Sequence, residues 1–305
     1  MEIGMIGLGR MGGNMARRLL HGGHQVIVFD PVPAAREGPV KEGATGAASI
    51  DEMVRLLKPP RAVWLMVPAG APTEQVVNRL VTRLSPGDIV IDGGNSNYGD
   101  SMRRAAGLAD RSIALLDVGT SGGIWGLEQG YCLTIGGDAT AFRHLEPIFQ
   151  TLAPSPTTGY THVGPSGAGH YVKMVHNGIE YGLMEAYAEG FELLLAKTDF
   201  RLDAARIAET WRHGSVVRSW LLDLTANTLK EDPRLAKVGA YVEDSGEGRW
   251  AVEEGVKLGV PLPVITLALQ ARFRSRQEQP FGGRLLAALR RQFGGHAVRE
   301  TEPDK

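Results

Sequence analysis

The feature that most constrains the fold is a glycine-rich turn near the start of the chain. Residues 7–12 read Gly-Leu-Gly-Arg-Met-Gly and match G-x-G-x-x-G. An apolar run precedes this turn and an amphipathic stretch follows it, which predicts a strand, a tight turn and a helix. In such a turn Gly7 allows the bend, Gly9 lets the backbone approach a pyrophosphate, and Gly12 allows close packing of helix on strand. The pattern predicts a dinucleotide phosphate at the helix N-terminus.

An acidic residue at the end of the next apolar run bears on the choice of dinucleotide. Asp30 lies 18 residues after Gly12, where a carboxylate accepts hydrogen bonds from the adenosine ribose hydroxyls. It would repel a 2′-phosphate, and Pro31 stands where an arginine would favour NADP, although Arg36 lies further along. We therefore expect NAD. The alternative is an ordinary glycine turn followed by a strand-end aspartate, with no ligand.

Short apolar runs alternate with amphipathic stretches over the first half of the chain. Strands are predicted at residues 3–6, 26–29, 62–67, 89–91, 113–118 and 132–135, and helices at 11–20, 49–57, 73–84, 102–109 and 139–152. This alternation is typical of a parallel sheet covered on both faces. After a Thr, Gly, Pro, Ser and His-rich stretch at 157–169, the pattern becomes helical, beginning with a long helix at 168–196. Shorter helices are predicted at 203–212, 219–227, 250–258, 263–277 and 284–293. We predict a Rossmann-type, doubly wound α/β domain at 1–163 and an all-α domain at 164–305, to which the family resemblance given below assigns substrate binding and dimerisation.

Composition excludes several classes of function. With 33 Lys and Arg against 34 Asp and Glu, no basic field is present to hold nucleic acid. The single cysteine, Cys132, forms neither an intrachain disulfide nor a cysteine zinc cluster. No apolar run reaches the roughly 20 residues of a membrane span, and the N-terminus lacks the pattern of a signal peptide. We expect a soluble cytoplasmic protein without nucleic-acid or membrane partners.

Polar and glycine-rich loops follow several predicted strands, where ligands of open α/β sheets bind. Val67 and Pro68 follow one strand and Asn95 follows the next; the asparagine amide both donates and accepts hydrogen bonds. Ser121, Gly122 and Gly123 follow a third strand, and their N–H groups and hydroxyl would cradle a carboxylate. An Asx-turn at Asn95 and a flexible turn at 121–123 are the alternatives.

The long predicted helix carries a polar stripe. Lys173, His176, Asn177 and Glu180 are spaced i, i+3, i+4 and i+7, so they share one face, and Tyr181 widens it. A desolvated lysine can act as a base and a carboxyl in the same pocket as an acid. Beside a nicotinamide, this set suits alcohol oxidation coupled to a second proton transfer. A solvated face with a Glu–Lys pair is the alternative.

Four segments together resemble the decarboxylating 6-phosphogluconate dehydrogenases, in their short NAD-preferring form, within the β-hydroxyacid dehydrogenase superfamily. They are residues 7–12, 92–98 (Asp-Gly-Gly-Asn-Ser-Asn-Tyr), 117–126 (Asp-Val-Gly-Thr-Ser-Gly-Gly-Ile-Trp-Gly) and 164–181 (Gly-Pro-Ser-Gly-Ala-Gly-His-Tyr-Val-Lys-Met-Val-His-Asn-Gly-Ile-Glu-Tyr). The resemblance implies oxidation of 6-phosphogluconate by NAD to ribulose 5-phosphate and carbon dioxide, the oxidative pentose phosphate reaction. Lys173 would be the base and Glu180 the acid, and no metal is implied.

The resemblance also implies the remaining contacts. Cofactor contacts are expected from Gly7, Gly9, Met11, Gly12, Asp30, Val67, Pro68 and Asn95. Sugar-acid contacts are expected from Asn95, Ser121, Gly122, Gly123, His176 and Asn177. Tyr181 and Arg272 would bind the phosphate, and Arg290 and His296 would reach it from a second subunit of a homodimer or homotetramer. For each of these cations, a surface or helix-end position is the alternative.

Two departures from the family pattern stand out. In the family comparison, Ser245 falls where the long forms carry a substrate-binding lysine, with Arg249 as the candidate for compensation, and the long forms carry an additional helical repeat that this sequence does not contain. Two other functions remain open from the sequence, a β-hydroxyacid dehydrogenase for a smaller acid and a nucleotide-sensing protein without turnover.

Overall fold

The computed structural model describes residues 1–299. The strands are Glu2–Ile6 (β1), Gln25–Phe29 (β2), Thr45–Gly46 (β3), Ala62–Leu65 (β4), Ile89–Asp92 (β5), Ala114–Ser121 (β6), Cys132–Gly137 (β7) and Tyr160–Gly164 (β8). They form one eight-stranded sheet in the order β3-β2-β1-β4-β5-β6-β7-β8. Every neighbouring pair is parallel except β6 and β7, which are antiparallel.

Helices cover both faces of this sheet. They are Arg10–His21 (α1), Pro33–Lys41 (α2), Ile50–Leu56 (α3), Ala71–Val81 (α4), Tyr98–Ala109 (α5), Gly126–Gln129 (α6) and Ala139–Leu152 (α7). Successive strand residues point to opposite faces, and the buried residues divide accordingly. Met5 and Val28 belong to a cluster packed with α1 and α7, whereas Ile6 and Ile27 belong to one packed with α3 and α4. The doubly wound α/β fold is confirmed.

The structure contains four elements that the sequence did not predict, namely α2, β3, α6 and β8. Helix α2 was not predicted, since it contains Pro39 and proline disfavours helix interiors. Strand β3 has only two residues, too few for a periodic pattern. Strand β8 lies within residues 157–169, which were interpreted as a loop, and its pairing with β7 holds its backbone in an extended conformation. The antiparallel β6–β7 pair also departs from the expected all-parallel sheet, because the short segment between them turns the chain directly back.

The second half of the described chain is helical, as predicted. Its helices are Ala168–Ala196 (α8), Ala204–Trp211 (α9), Trp220–Glu231 (α10), Glu247–Leu258 (α11), Pro263–Ser275 (α12) and Phe281–Gly294 (α13). Asp203 and Ser219 cap α9 and α10 by accepting hydrogen bonds from backbone N–H groups of their first turns, which fixes where these helices begin.

The chain divides into two compact units, residues 1–177 and a second unit that begins at Gly178. The division falls inside α8. The functional boundary at 163/164 stays a prediction. Among residues 1–299, no helix has the length and apolar character required to span a bilayer.

Candidate active site

The glycine turn between β1 and α1 is shaped by steric exclusion. Gly7 has φ +90°, and a Cβ there would lie 2.4 Å from the backbone oxygen of Met66. A Cβ on Gly12 would lie 2.0 Å from the backbone oxygen of Gly7. By contrast, a Cβ on Gly9 would meet no heavy atom of the described chain within 4 Å. The first and third glycines therefore allow close backbone packing, while the second faces open space at the N-cap of α1.

Asp30 is bonded to the same turn. Its Oδ2 accepts a hydrogen bond from the backbone N–H of Leu8 at 2.7 Å, and its Oδ1 accepts one from Val32 at 2.8 Å. An ionised carboxylate has about four acceptor positions, so these two bonds orient the group and leave it able to accept others. Arg36, the cation considered for a 2′-phosphate, donates through Nη1 to the backbone oxygen of Ala47 at 2.6 Å.

The loops after β4 and β5 approach each other beside this turn. A Cβ on Gly94 would lie 2.8 Å from the backbone oxygen of Val67, and one on Gly7 would lie 3.1 Å from Cγ1 of Val67. Pro68 and Asn95 are exposed and Met11 is half-buried. The structure thus brings the predicted residues after these strands close to the glycine turn.

A buried ion pair that the sequence did not indicate supports the loop carrying Asn95. Asp92 and Arg104 have 0 % and 1 % exposed side chains, and Arg104 Nη1 lies 3.2 Å from Asp92 Oδ2. The same carboxylate accepts hydrogen bonds from the backbone N–H of Gly94 and the hydroxyl of Ser96. Both ends of the loop are therefore bonded to one buried charge.

The partner of Arg104 on α4 extends this network. Glu74 accepts a hydrogen bond from Arg104 Nε at 3.0 Å and two from Arg103. These guanidinium groups, Arg103 foremost, lower the pKa of Glu74 to about 2. Sequence analysis missed this network, because no local spacing relates Glu74, Asp92 and Arg104.

The start of α8 is held by a carboxylate from β6. Asp117 is fully buried, and its two oxygens accept hydrogen bonds from the backbone N–H groups of Gly167 at 2.7 Å and His170 at 2.9 Å. Those N–H groups lie at the N-terminus of α8, which has no preceding turn to accept them. Asp117 is therefore a cap supplied by a strand about 50 residues earlier.

Lys173 lies one turn further along α8 and its backbone is closely packed. A Cβ on Gly119 of β6 would lie 2.5 Å from Cβ of Lys173, so only glycine fits at 119. Lys173 is 9 % exposed. Next to it in the polar stripe, Asn177 is buried and His176 is exposed, and His176 Nδ1 lies 3.0 Å from Asn177 Oδ1.

The predicted carboxylate cradle is an ordered turn at the end of β6. Ser121 is half-buried, and Gly122 and Gly123 have φ values of +127° and +54°. The ring of Tyr131 lies beneath this turn, 3.3 Å from where a Cβ of Gly122 would be. Both glycines are thus required by backbone conformation, whatever ligand the turn holds.

In the second unit, Tyr181 and Arg272 form a stacked pair. Tyr181 is 4 % exposed, and Arg272 Cζ lies 3.4 Å from its ring centroid. The Tyr181 hydroxyl accepts a hydrogen bond from the backbone N–H of Ser245 at 3.3 Å. Two phosphate-binding candidates and the serine at the divergent position are therefore in one cluster. Glu180, beside Tyr181 on α8, is half-buried.

Arg249, the residue considered as compensation for Ser245, is paired with a carboxylate. Its Nε and Nη2 donate to Asp244 at 2.8 and 3.0 Å. Arg276, which the sequence did not single out, donates to the same carboxylate at 2.7 Å. Arg290 lies exposed on α13, and His296 is exposed after that helix, with its ring edge-on to Phe293.

No cluster of three or more metal-ligating side chains is present within residues 1–299.

The sheet with a glycine turn after β1, a strand-end acid after β2 and a following helical unit defines a dinucleotide-binding dehydrogenase fold. Two family models match the chain. Residues 2–164 match the NAD binding domain of 6-phosphogluconate dehydrogenase, and residues 169–288 match the 6-phosphogluconate dehydrogenase C-terminal domain. The chain belongs to the 6-phosphogluconate dehydrogenase family, so the resemblance inferred from the four segments is confirmed.

Individual relatives agree with this assignment. An NAD(+)-dependent, decarboxylating 6-phosphogluconate dehydrogenase of Haloferax volcanii is 44 % identical over 299 residues, covering 98 % of both chains. The solved structure of Plasmodium falciparum 6-phosphogluconate dehydrogenase, studied with NADP+ and with 6-phosphogluconate, superposes with a TM-score of 0.83 at 28 % identity. It covers 100 % of this chain and 67 % of that one. A 3-hydroxyisobutyrate dehydrogenase from Salmonella typhimurium has a TM-score of 0.73 at 23 % identity, covers 88 % of this chain and 92 % of that one, and shares the fold.

Proposed function

We propose that this protein oxidatively decarboxylates 6-phosphogluconate to ribulose 5-phosphate and carbon dioxide, using NAD. The observation that carries the proposal is the run from Lys173 to Tyr181 on α8, in a chain that belongs to the 6-phosphogluconate dehydrogenase family. This run supplies an amine, an imidazole, an amide, a carboxyl and a phenol. Asp117 and Gly119 fix the helix turn from which the amine projects.

In the proposed reaction, Lys173 and Glu180 move the protons of an alcohol oxidation and a decarboxylation. When bound, NAD would supply the acceptor for the hydride that leaves C3 of the substrate. Lys173 takes the proton of the 3-hydroxyl as that hydride leaves, which produces a 3-keto acid. The bond between C1 and C2 then breaks, carbon dioxide leaves, and the electron pair moves to the C3 carbonyl oxygen to give the anion of an enediol. Glu180 donates a proton to the carbon that lost the carboxylate, and ribulose 5-phosphate results.

The remaining predicted residues divide between the two ends of the substrate. Asn95, Ser121, Gly122, Gly123, His176 and Asn177 orient the sugar acid in this proposal. Tyr181 and Arg272 bind the phosphate, because a guanidinium forms bidentate contacts with phosphate oxygens. Arg290 and His296 complete the site from a second subunit of a homodimer or homotetramer. Their exposed positions on and after α13 are compatible with this role.

Several features of the first unit support the proposal of NAD. Gly9 faces open space at the N-terminus of α1, where backbone N–H groups and the helix dipole favour a pyrophosphate. In this proposal Gly7, Gly12, Met11, Val67 and Pro68 contact the cofactor, with Asn95 on the adjoining loop. Asp30, oriented by Leu8 and Val32, accepts the ribose hydroxyls and repels a 2′-phosphate. The bond from Arg36 to Ala47 supports the preference for NAD, because that donor is engaged with backbone.

Initial rates with purified protein test this proposal. We expect reduction of NAD with 6-phosphogluconate, little with gluconate, and little with 3-hydroxyisobutyrate, since neither of the latter carries a phosphate. A higher kcat/KM with 3-hydroxyisobutyrate would favour a β-hydroxyacid dehydrogenase instead. Binding of NAD without turnover of any of the three acids would favour a nucleotide sensor.

A further inference from the structure

A short segment before α11 is held in place by side chains rather than by regular secondary structure. In this segment, residues 241–246, the backbone N–H of Val242 donates to Ser275 Oγ at 3.0 Å, and its oxygen accepts from Arg276 Nε at 2.9 Å. The oxygen of Glu243 accepts from Arg272 Nη1 at 3.0 Å. Polar groups at the end of α12 therefore fix consecutive peptide units of the segment.

The far end of the segment is bonded to α8. Ser245 donates its backbone N–H to the hydroxyl of Tyr181, and Arg272 stacks on the ring of that tyrosine. Tyr181 and Arg272 are the two phosphate ligands proposed above from this unit. The position of segment 241–246 is thus coupled directly to the geometry of both.

Asp244 lies at the centre of these contacts. Its side chain is 4 % exposed and receives three charge-assisted hydrogen bonds, two from Arg249 and one from Arg276. These bonds, led by those from Arg249, lower the pKa of Asp244 to about 2, so the carboxylate is charged at neutral pH. Arg249 also stacks over the ring of Phe273 at 4.3 Å. One buried charge therefore joins the segment, α11 and α12.

Other acidic groups face the same arginines from neighbouring elements. Glu185 on α8 interacts electrostatically with Arg272, although burial is the main factor that raises the Glu185 pKa. Glu253 on α11 interacts electrostatically with Arg249. Asp244 bonds to two guanidinium groups of this cluster through a nearly buried side chain, so we assign the organising contact to it.

We propose that Asp244 is a positioning residue of the phosphate subsite, which holds segment 241–246 and the arginines around Tyr181 in the arrangement that binds the substrate phosphate. The inference rests on the proposed function and deepens it. Binding groups held in place before the ligand arrives spare the entropy cost of ordering them. At Ser245, where the long forms carry a lysine, this chain thus relies on a fixed guanidinium cluster beside Tyr181.

The test compares Asp244→Asn with Asp244→Glu and with a matched control. Asp223→Asn is that control, because Asp223 also accepts a hydrogen bond from an arginine Nε at 2.7 Å in this unit, in a pair whose side chains are 29 % and 43 % exposed. For Asp244→Asn we expect the KM for 6-phosphogluconate to rise about tenfold, since charge-assisted hydrogen bonds are lost. We expect kcat and the KM for NAD to stay within about twofold, because a remote contact made equally in ground and transition states changes KM alone. Asp244→Glu should recover part of the loss, and Asp223→Asn should resemble wild type.

A binding measurement separates this inference from the proposed function. Calorimetric titration with inorganic phosphate as the probe needs no turnover. Asp244→Asn should weaken phosphate binding by about the factor by which it raises the KM for 6-phosphogluconate. If wild type binds phosphate but does not turn over 6-phosphogluconate, the proposed function fails. In that case, weaker phosphate binding by Asp244→Asn still supports the role of Asp244. The inference would be overturned if Asp244→Asn left both the phosphate affinity and the KM for 6-phosphogluconate unchanged. It would also be overturned if kcat and the affinity for NAD fell as much as the affinity for 6-phosphogluconate. If Asp244→Asn does not fold, Arg276→Gln tests the same contact with the same expected results.

Discussion

The carboxylate of Asp117 closes the N-terminus of α8, and replacing it should disturb both the fold and the proposed base. In Asp117→Ala the N–H groups of Gly167 and His170 lose their acceptors in a buried environment. Each charge-assisted hydrogen bond contributes about 1.5–3 kcal/mol. The variant also avoids the cost of burying a charge, so we expect a net loss of about 3 kcal/mol in the free energy of unfolding.

The isosteric Asp117→Asn variant separates charge from shape. Its amide oxygen can retain one of the two bonds, but its NH2 group faces the other N–H donor. We expect a loss of about 2 kcal/mol, smaller than for alanine. Because Lys173 follows one turn after His170 and its Cβ packs against Gly119, kcat should fall as well.

Two assays measure these effects. Urea unfolding at fixed protein concentration reports the free energy, and hydrogen–deuterium exchange of peptides covering the first turns of α8 locates the change. Asp51→Asn serves as the control, since Asp51 bonds to Arg79 and Arg83 at an exposed site where ion pairs contribute little. Unchanged exchange at α8 in Asp117→Ala, or a destabilisation no larger than in the control, would refute the capping argument.

Four further substitutions each test the role of one residue. Lys173→Met should fold but lower NADH formation at least about 100-fold, and appreciable residual oxidation would remove the lysine from the role of base. Asp30→Ala should reduce the ratio of kcat/KM for NAD to that for NADP; an unchanged ratio would contradict its assigned role. Ser101→Ala removes the hydroxyl 2.7 Å from Nδ1 of the buried His170, and should cost about 1–3 kcal/mol by urea unfolding; a neutral result would show that this contact is not needed. The pKa of Asp244 is lowered from 3.8 to about 2, so its ionised form adds stability above pH 4 that is lost as the pH falls towards 2. Asp244→Asn should therefore lose less stability than wild type over that interval in acid titrations, and parallel curves would contradict this linkage.

The sequence analysis correctly predicted elements whose ends are set by residues close to them in the chain, such as helix caps and glycine turns. The bounds of α7 and α8 agree with the prediction. Asp138 caps α7 by accepting a hydrogen bond from Ala141, and apolar residues at helical spacing run the length of α8. The glycine turn was predictable for the same reason, because Gly7 and Gly12 allow backbone approaches that other residues exclude.

Elements stabilised by tertiary partners were missed. Strand β8 consists of Tyr-Thr-His-Val-Gly, a sequence with little strand periodicity, and it is ordered by pairing with β7. Helix α2 contains Gly38 and Pro39, whose low helix propensity is overridden by its surroundings.

The residues of the proposed site also fall into those that the sequence indicated and those that it did not. Motifs identified Lys173, Asn95 and Tyr181 because their residue types and spacing carry chemistry. Arg104, which bonds to Asp92 below the Asn95 loop, and Arg276, which bonds to Asp244, were not identified, because their partners lie 12 and 32 residues away along the chain. Ion pairing at such separations depends on the fold, so sequence spacing gives no signal for it.

In the proposed reaction, one active site couples oxidation at C3 to loss of C1. An assay with 6-phosphogluconate isotopically labelled at C1 and with NAD can follow NADH and labelled carbon dioxide in the same reaction. Wild type should form equal amounts of the two products, and Lys173→Met should form neither. NADH formed without release of the labelled carbon, or no NADH at all from folded wild-type protein, would contradict the proposed reaction.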